Sequence, residues 1–429
     1  MSGHDEQVQS LKWFYVVLGC NGAFVVCTFG GALFPLYLSD LGLSSDRIGL
    51  VIGAIPFMQV LALVGTPMIE RLGYRRAYLI FHGSRKLTLM ALIPAPWILQ
   101  TFGGDILLVF VSLCVLIFGI QRSLGETAFF PWIKEAIPDE IRGGVQGTAN
   151  LFGGLGAVVA LVLAGLLVEH QREWGLGRFG GYQLAYLFFG FIGITGVLAS
   201  QRMPGGYAVA PSRDRPRYGH RLRASLRDRR FLAFILGEGV LQGSIALIGT
   251  FLTLYGSAIL AIPSGWLVSL NIGAWLGGAL TSRFWGRAAD HYGSRRVLIW
   301  TLSAMALMPL GWILLPNLPE SARIAGLGAA NLCFGGVYFG SRNAALRLMY
   351  NGIVPEEKKG EYLAIRYAAI GIVAGVIPAI AGFSIGLFEG FSFRIWGLSL
   401  NSFTPLFGAT ILVWAGIAWL FSRIGYERV

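Results

Sequence analysis

The sequence places ionisable side chains where they are costly. Glu238 stands between Gly237 and Gly239 inside a long apolar run, with no basic residue three or four positions away on either side. Arg122 and Glu126 lie four apart in another run, so they share a helix face and can pair. Arg342 falls in a third run. Acids and bases inside apolar spans face a water-filled cavity or one another, and they mark solute and ion pathways. A carboxylate poised between burial and an arginine can bind and release a proton. Two arginines at comparable depth can meet an anionic group or form an inner gate. The competing reading is structural: Glu238 pairs with Arg342 or Arg122, and the arginines are held by partners within the protein.

The elements that carry these residues follow from composition. The 429-residue chain is 55% hydrophobic and only 13% charged, with a mean hydropathy of +0.64, 60 glycines and 12 tryptophans. A soluble domain carries roughly 25% charged residues. Twelve apolar runs can be drawn, at about 13–38, 48–69, 77–100, 105–130, 144–168 and 182–202, then 231–256, 264–285, 297–315, 322–348, 362–388 and 403–423. The expected fold is an all-α polytopic membrane protein. Its N-terminal six-helix bundle is 1–202, a basic cytoplasmic linker is 203–230, and its C-terminal six-helix bundle is 231–429. The linker is rich in Pro, Gly and Arg, which suits anionic lipid headgroups.

The net charge of +12 is concentrated in alternate loops. That is the positive-inside pattern; it places both termini in the cytoplasm and argues against nucleic-acid binding. The first run is too long for a signal-peptide core and reads as a retained span. The four cysteines (Cys20, Cys27, Cys114 and Cys333) have no metal-ligand spacing and read as small buried residues. The five histidines are scattered, so no metal site and no cofactor are expected. His82, Arg85 and Lys86 sit within span 3, and its two bases read as side chains that snorkel toward the cytoplasm.

A short polar stretch occurs twice, about half the chain apart. Glu70, Arg71, Gly73, Arg75 and Arg76 lie between spans 2 and 3, and Gly286, Asp290, Gly293, Arg295 and Arg296 between spans 8 and 9. In each copy an acid precedes a glycine by three places and two arginines follow it. The glycine supplies positive φ for the turn, and the arginines face headgroups and the cytoplasm. A second repeat, Pro138 to Gly143 and Pro355 to Gly360, opens spans 5 and 11.

These stretches resemble the loop signature of the major facilitator superfamily, Gly-x-x-x-Asp-Arg-x-Gly-Arg-Arg, which recurs in both halves of those transporters. The second copy matches at Gly286, Asp290, Gly293 and Arg295, with His291 for the usual arginine; the first has Glu70 for the aspartate. The resemblance implies two parallel six-helix repeats and a central cavity lined by spans 1, 4, 7 and 10, with span 3 peripheral. The solute and coupling candidates it selects are Asn21, Arg122, Glu126, Glu238, Gln242, Arg342 and Asn343, with Asn150 and Arg366 from spans 5 and 11. It also implies that the signature loops latch, Glu70 toward Gly360 and Asp290 toward Gly143. Span 5 has no Gly-Pro ending, which departs from the drug–proton antiporter pattern.

The expectation is a non-enzymatic secondary transporter in the inner membrane. It would act as a monomer and carry a small organic solute, anionic or polar, by alternating access coupled to protons. No Gly-x-x-x-x-Gly-Lys-Ser/Thr loop is present for ATP binding. The alternatives are a transporter-like sensor or scaffold, and a lipid-handling membrane protein.

Overall fold

The computed structural model describes residues 3–29, 31–137, 142–208, 226–349, 353, 359–395 and 398–423. The loop residues Pro138 to Ile141 and Pro355 to Lys358, and linker residues 209–225, lie outside the described residues. In lipid every backbone polar group must be satisfied within the chain, so apolar runs of this length become helices. Among the described residues nine helices are long and apolar enough to cross a membrane. They are Ser45–Leu72, Gly104–Ala136, Thr148–Glu169, Gly180–Ser200, Arg229–Ala258, Ser294–Asn317, Glu320–Leu348, Ile365–Leu387 and Thr404–Arg423. These correspond to spans 2, 4 to 7 and 9 to 12.

Spans 1, 3 and 8 are helical but interrupted. Span 1 is Gly3–Val26 followed by Leu33–Asp40. Span 3 runs through Tyr74–Ala77, a π-helical turn at Tyr78–His82, and Gly83–Met90, then resumes as Ala95–Phe102 beyond Pro94. Span 8 is Ser264–Leu270 and Ile272–Tyr292, separated by Asn271. One element departs from an all-helical chain. Ser392–Ile395 pairs antiparallel with Leu398–Asn401, Ser392 opposite Asn401, between spans 11 and 12. The amide of Ser399 donates to Asn317 Oδ1 at 3.1 Å, which ties the hairpin to the end of span 9.

The described chain divides into two compact units: Met1–Leu43 with Ala54–Arg215, and Ser44–Gly53 with Pro216–Val429. In the first, span 1 packs against span 5, where a Cβ on Gly22 or Gly156 would run into the backbone of Gly153 or Gly19. In the second, span 8 packs against span 10 in the same way, with Gly277 against Leu332 and Gly335 against Ala274. Small residues let membrane helices approach this closely and gain van der Waals contact where no hydrophobic force separates helix from lipid. Gly153 and Gly156 of span 5 thus serve close packing against span 1.

Both signature glycines end a helix in the conformation the sequence calls for. Gly73 has φ 89° and ψ 138°, and Gly293 has φ 84° and ψ 144°. A side chain is strained there, so the repeated glycine has a local steric cause.

Candidate functional site

In the second unit the interior acid of span 7 has a partner. Arg366 Nε donates to Glu238 Oε2 at 2.7 Å, and its Nη2 donates to Oε1, a bidentate pair between spans 7 and 11. Glu238 is 1% exposed and Arg366 7%. The flanking glycines make the room: a Cβ on Gly239 would lie 3.2 Å from Val373, and one on Gly237 3.0 Å from Phe421. The structural reading of Glu238 named Arg342 or Arg122 as its partner; within this unit the partner is Arg366. Arg342 and Asn343 are exposed on span 10, and Gln242 is half-buried one turn beyond Glu238. Tyr338, half-buried on span 10, stacks on Phe334 with centroids 6.0 Å apart.

The first unit holds a second and more crowded ionic cluster. Arg122 Nε donates to Glu126 Oε1 at 2.8 Å, the local pair that the four-residue spacing predicts. Glu126 Oε1 also lies 3.9 Å from Arg85 on span 3. Behind it, Asn21 Oδ1 accepts from Arg85 Nη2 at 2.9 Å and from Lys86 Nζ at 3.4 Å, and it lies 3.1 Å from His82 Nε2. Lys86 Nζ also sits 3.4 Å from the centre of the Phe24 ring. Neither base snorkels. Arg85 is 2% exposed, Lys86 1% and His82 4%. The π-helical turn Tyr78–His82 carries His82 and precedes the two bases, and such turns are frequent at functional sites. Burying an ion without full compensation costs several kcal/mol, on the order of the stability of many point contacts. The inward turn of His82, Arg85 and Lys86 onto Asn21 is the part of the site that sequence reasoning missed. The missed signal was three basic-type residues within five positions of one apolar run, too many for one helix to send to the same interface.

Asn150 is exposed on span 5. Of the cysteines, Cys27 and Cys114 are buried and Cys20 is half-buried, whereas Cys333 is exposed on span 10. Among the described residues, no group of three His, Cys, Asp or Glu side chains could hold a metal.

The signature loops each tie down the last helix of their own unit. Arg75 donates from its backbone amide to Gly206 O at 2.9 Å and from its guanidinium to Gln201 O, at the end of span 6. Arg295 donates from Nε to Phe421 O at 3.1 Å and from Nη2 to Ser422 O at 2.7 Å, at the end of span 12. The same arginine, two places after the glycine, meets unpaired carbonyls at a helix C-terminus, where positive charge is favoured. The expectation that these arginines face headgroups misses that contact. Asp290 accepts from Arg347 at the end of span 10, and both are largely exposed. Glu70 is half-buried, Arg71 is exposed, and Gly286 has open space around its Cα.

The paired loops, the repeated arginine contacts and the interior ion pairs can be set beside known proteins. The sequence matches the Major Facilitator Superfamily over residues 14–378. The chain belongs to that family. No curated protein matches it significantly by sequence. Solved structures match it over nearly its whole length at low identity. A variant of the nucleoside transporter NupG has a TM-score of 0.71 at 13% identity, covering 98% of this chain and 99% of that one. The D-xylose-proton symporter gives 0.68 at 12%, covering 97% and 98%. A bacterial homologue of the iron transporter ferroportin, in an inward-facing state, gives 0.67 at 13%, covering 99% of both chains. At these identities the likeness shows the fold alone: a multi-pass helical membrane protein with the transporter architecture of the superfamily.

Proposed function

We propose that the protein is a secondary active transporter that moves a small organic solute, anionic or polar, by alternating access coupled to protons. The observation that supports it best is the Glu238–Arg366 pair, buried between spans 7 and 11. As a pair the two charges cancel, so the unit is tolerated in a low-dielectric interior. A proton on Glu238 removes the charge that holds Arg366 and loosens span 7 against span 11. A solute or proton that binds the loosened state better shifts the population toward it. Arg122, Arg342, Asn343, Gln242 and Asn150 complete the candidate solute-facing set. In this reading the bundles are 1–202 and 231–429, joined by the cytoplasmic linker 203–230. The signature loops, through Glu70 and Asp290, gate the cytoplasmic side. The protein works as a monomer in the inner membrane with both termini in the cytoplasm.

Counterflow in proteoliposomes tests the reading, using labelled sugars, nucleosides, organic anions, amino acids and cationic drugs, for the wild type and Glu238→Gln. The expected result is that one class exchanges in both proteins, while only the wild type concentrates it against a proton gradient. If Glu238→Gln still concentrates solute, Glu238 does not carry the coupling. If no compound exchanges but one binds, the sensor reading replaces transport.

A further inference from the structure

The ionic cluster of the first unit holds two bases, Arg85 and Lys86, bonded mainly to neutral groups, unlike the Glu238–Arg366 pair. Arg85, Lys86 and Arg122 converge there, and Glu126 is the one acid bonded to them among the described residues. Glu126 lies 2.8 Å from Arg122 and 3.9 Å from Arg85, so most of its attraction goes to Arg122. Arg85 and Lys86 therefore share neutral partners: the amide oxygen of Asn21 for both, His82 Nε2 at 2.8 Å for Arg85, and the face of Phe24. Two further polar atoms are buried without a partner, Arg85 Nε and His82 Nδ1. An unpaired guanidinium N–H inside a protein is rare and calls for an acceptor. The cluster has an exposed edge. Glu126 and Arg122 are 30% and 34% exposed, while Arg85 and Lys86 lie behind them almost fully covered.

We propose that this cluster binds the carboxylate or phosphate group of the transported solute, with Glu126 as the resident carboxylate that the solute displaces from Arg85. The inference rests on the transporter reading above and names the chemical class of the solute. An anion entering past Arg122 meets the unused Nε of Arg85 and the ammonium of Lys86, and Asn21 holds both donors in place. Arginine suits the role because its donors match a carboxylate or phosphate in two-point geometry. The displaced Glu126 keeps Arg122 as its partner at the exposed edge.

The test is binding of succinate, inorganic phosphate and chloride to the purified full-length protein in lipid nanodiscs, measured by calorimetry at neutral pH. Succinate or phosphate should bind the wild type. Glu126→Gln, which removes the competing carboxylate, should tighten binding by at least about fivefold, the lower end of ordinary site–site coupling. Arg85→Gln should weaken it by a similar factor or more, and Arg85→Lys by less. Because Glu126 is partly exposed, its variant tests the idea even if Arg85→Gln fails to fold. Unchanged or weaker binding in Glu126→Gln overturns the proposal. So does binding of chloride alone, which makes the cluster a structural counter-ion site, or binding of no probe by either protein. These failures are distinct from failure of the transporter reading. Counterflow of neutral or cationic solutes without anion binding sinks this site and leaves transport standing. Anion binding without counterflow does the reverse.

Discussion

Glu238→Leu should destabilise the protein strongly, and adding Arg366→Met should undo most of the damage. The pair is buried on both sides, and two hydrogen bonds join the charges. Removing one member of such a pair leaves the other charged and dry, which costs roughly 3–5 kcal/mol. At about 1.4 kcal/mol per tenfold, 4 kcal/mol is close to a thousandfold in the folding equilibrium. Replacing both members with apolar residues of similar volume removes both the attraction and the desolvation cost, and is often neutral. The double variant Glu238→Leu with Arg366→Met should thus lie within about 1 kcal/mol of the wild type. The assay is unfolding in mixed micelles titrated with denaturing detergent, run on both singles and the double. The coupling energy of the cycle should then reach at least about 5 kcal/mol, above the roughly 0.5–3 usual for residues in contact. A single variant within about 0.5 kcal/mol of wild type, the scatter of inconsequential surface changes, would refute the buried pair. A double variant no better than the singles would show that the cost lies in packing around Gly237 and Gly239. The double variant also separates fold from function, since it should be stable yet unable to couple solute to protons.

Two further predictions concern the repeated loops. Gly293→Ala should cost roughly 1–3 kcal/mol from backbone strain alone, because the added Cβ meets nothing within 4 Å. Gly73→Ala should cost more, since the same strain is joined by contacts at 2.9 Å to Ala208 N and 3.1 Å to Gly206 O. The same detergent titration ranks them, and a neutral Gly293→Ala would show that the turn can relax. Arg295→Lys loses the fork across the carbonyls of Phe421 and Ser422, Arg75→Lys loses the guanidinium donor to Gln201 O, and each should cost about 1 kcal/mol. Hydrogen exchange should rise at the C-terminal turn of span 12 in the first and of span 6 in the second. Increased exchange elsewhere would mean that these arginines do not cap those helices.

Much of this fold was legible because its causes are local. Length and apolarity of a run decide that it crosses a membrane, since lipid offers no partner for a backbone amide. The glycine of each loop could be read for its positive φ, because the conformation of Gly73 and Gly293 is set by steric limits within one residue. The Arg122–Glu126 pair was equally legible, because four residues on a helix fix its geometry. Spans 1, 3 and 8 emerged broken at positions the apolar pattern passed over, because breaks such as the one at Pro94 leave hydropathy unchanged.

Partners between helices were a different matter. Glu238 and Arg366 lie 128 residues apart, and both were named as candidates, yet nothing local says that they meet. Helices in lipid are apolar nearly all round, so the pattern of a span does not reveal which face turns inward. The same ambiguity governed Arg85 and Lys86. A long basic side chain in a span can reach out to the interface or turn into the bundle, and the choice depends on the rotation of span 3 against Asn21 and Phe24. The sequence by itself determined a polytopic helical protein with two related halves and a set of costly ionic residues. Only the tertiary structure decided how those charges are shared out. In the second half Glu238 is bonded to Arg366, and in the first Arg85 and Lys86 turn inward to Asn21 behind the Arg122–Glu126 pair.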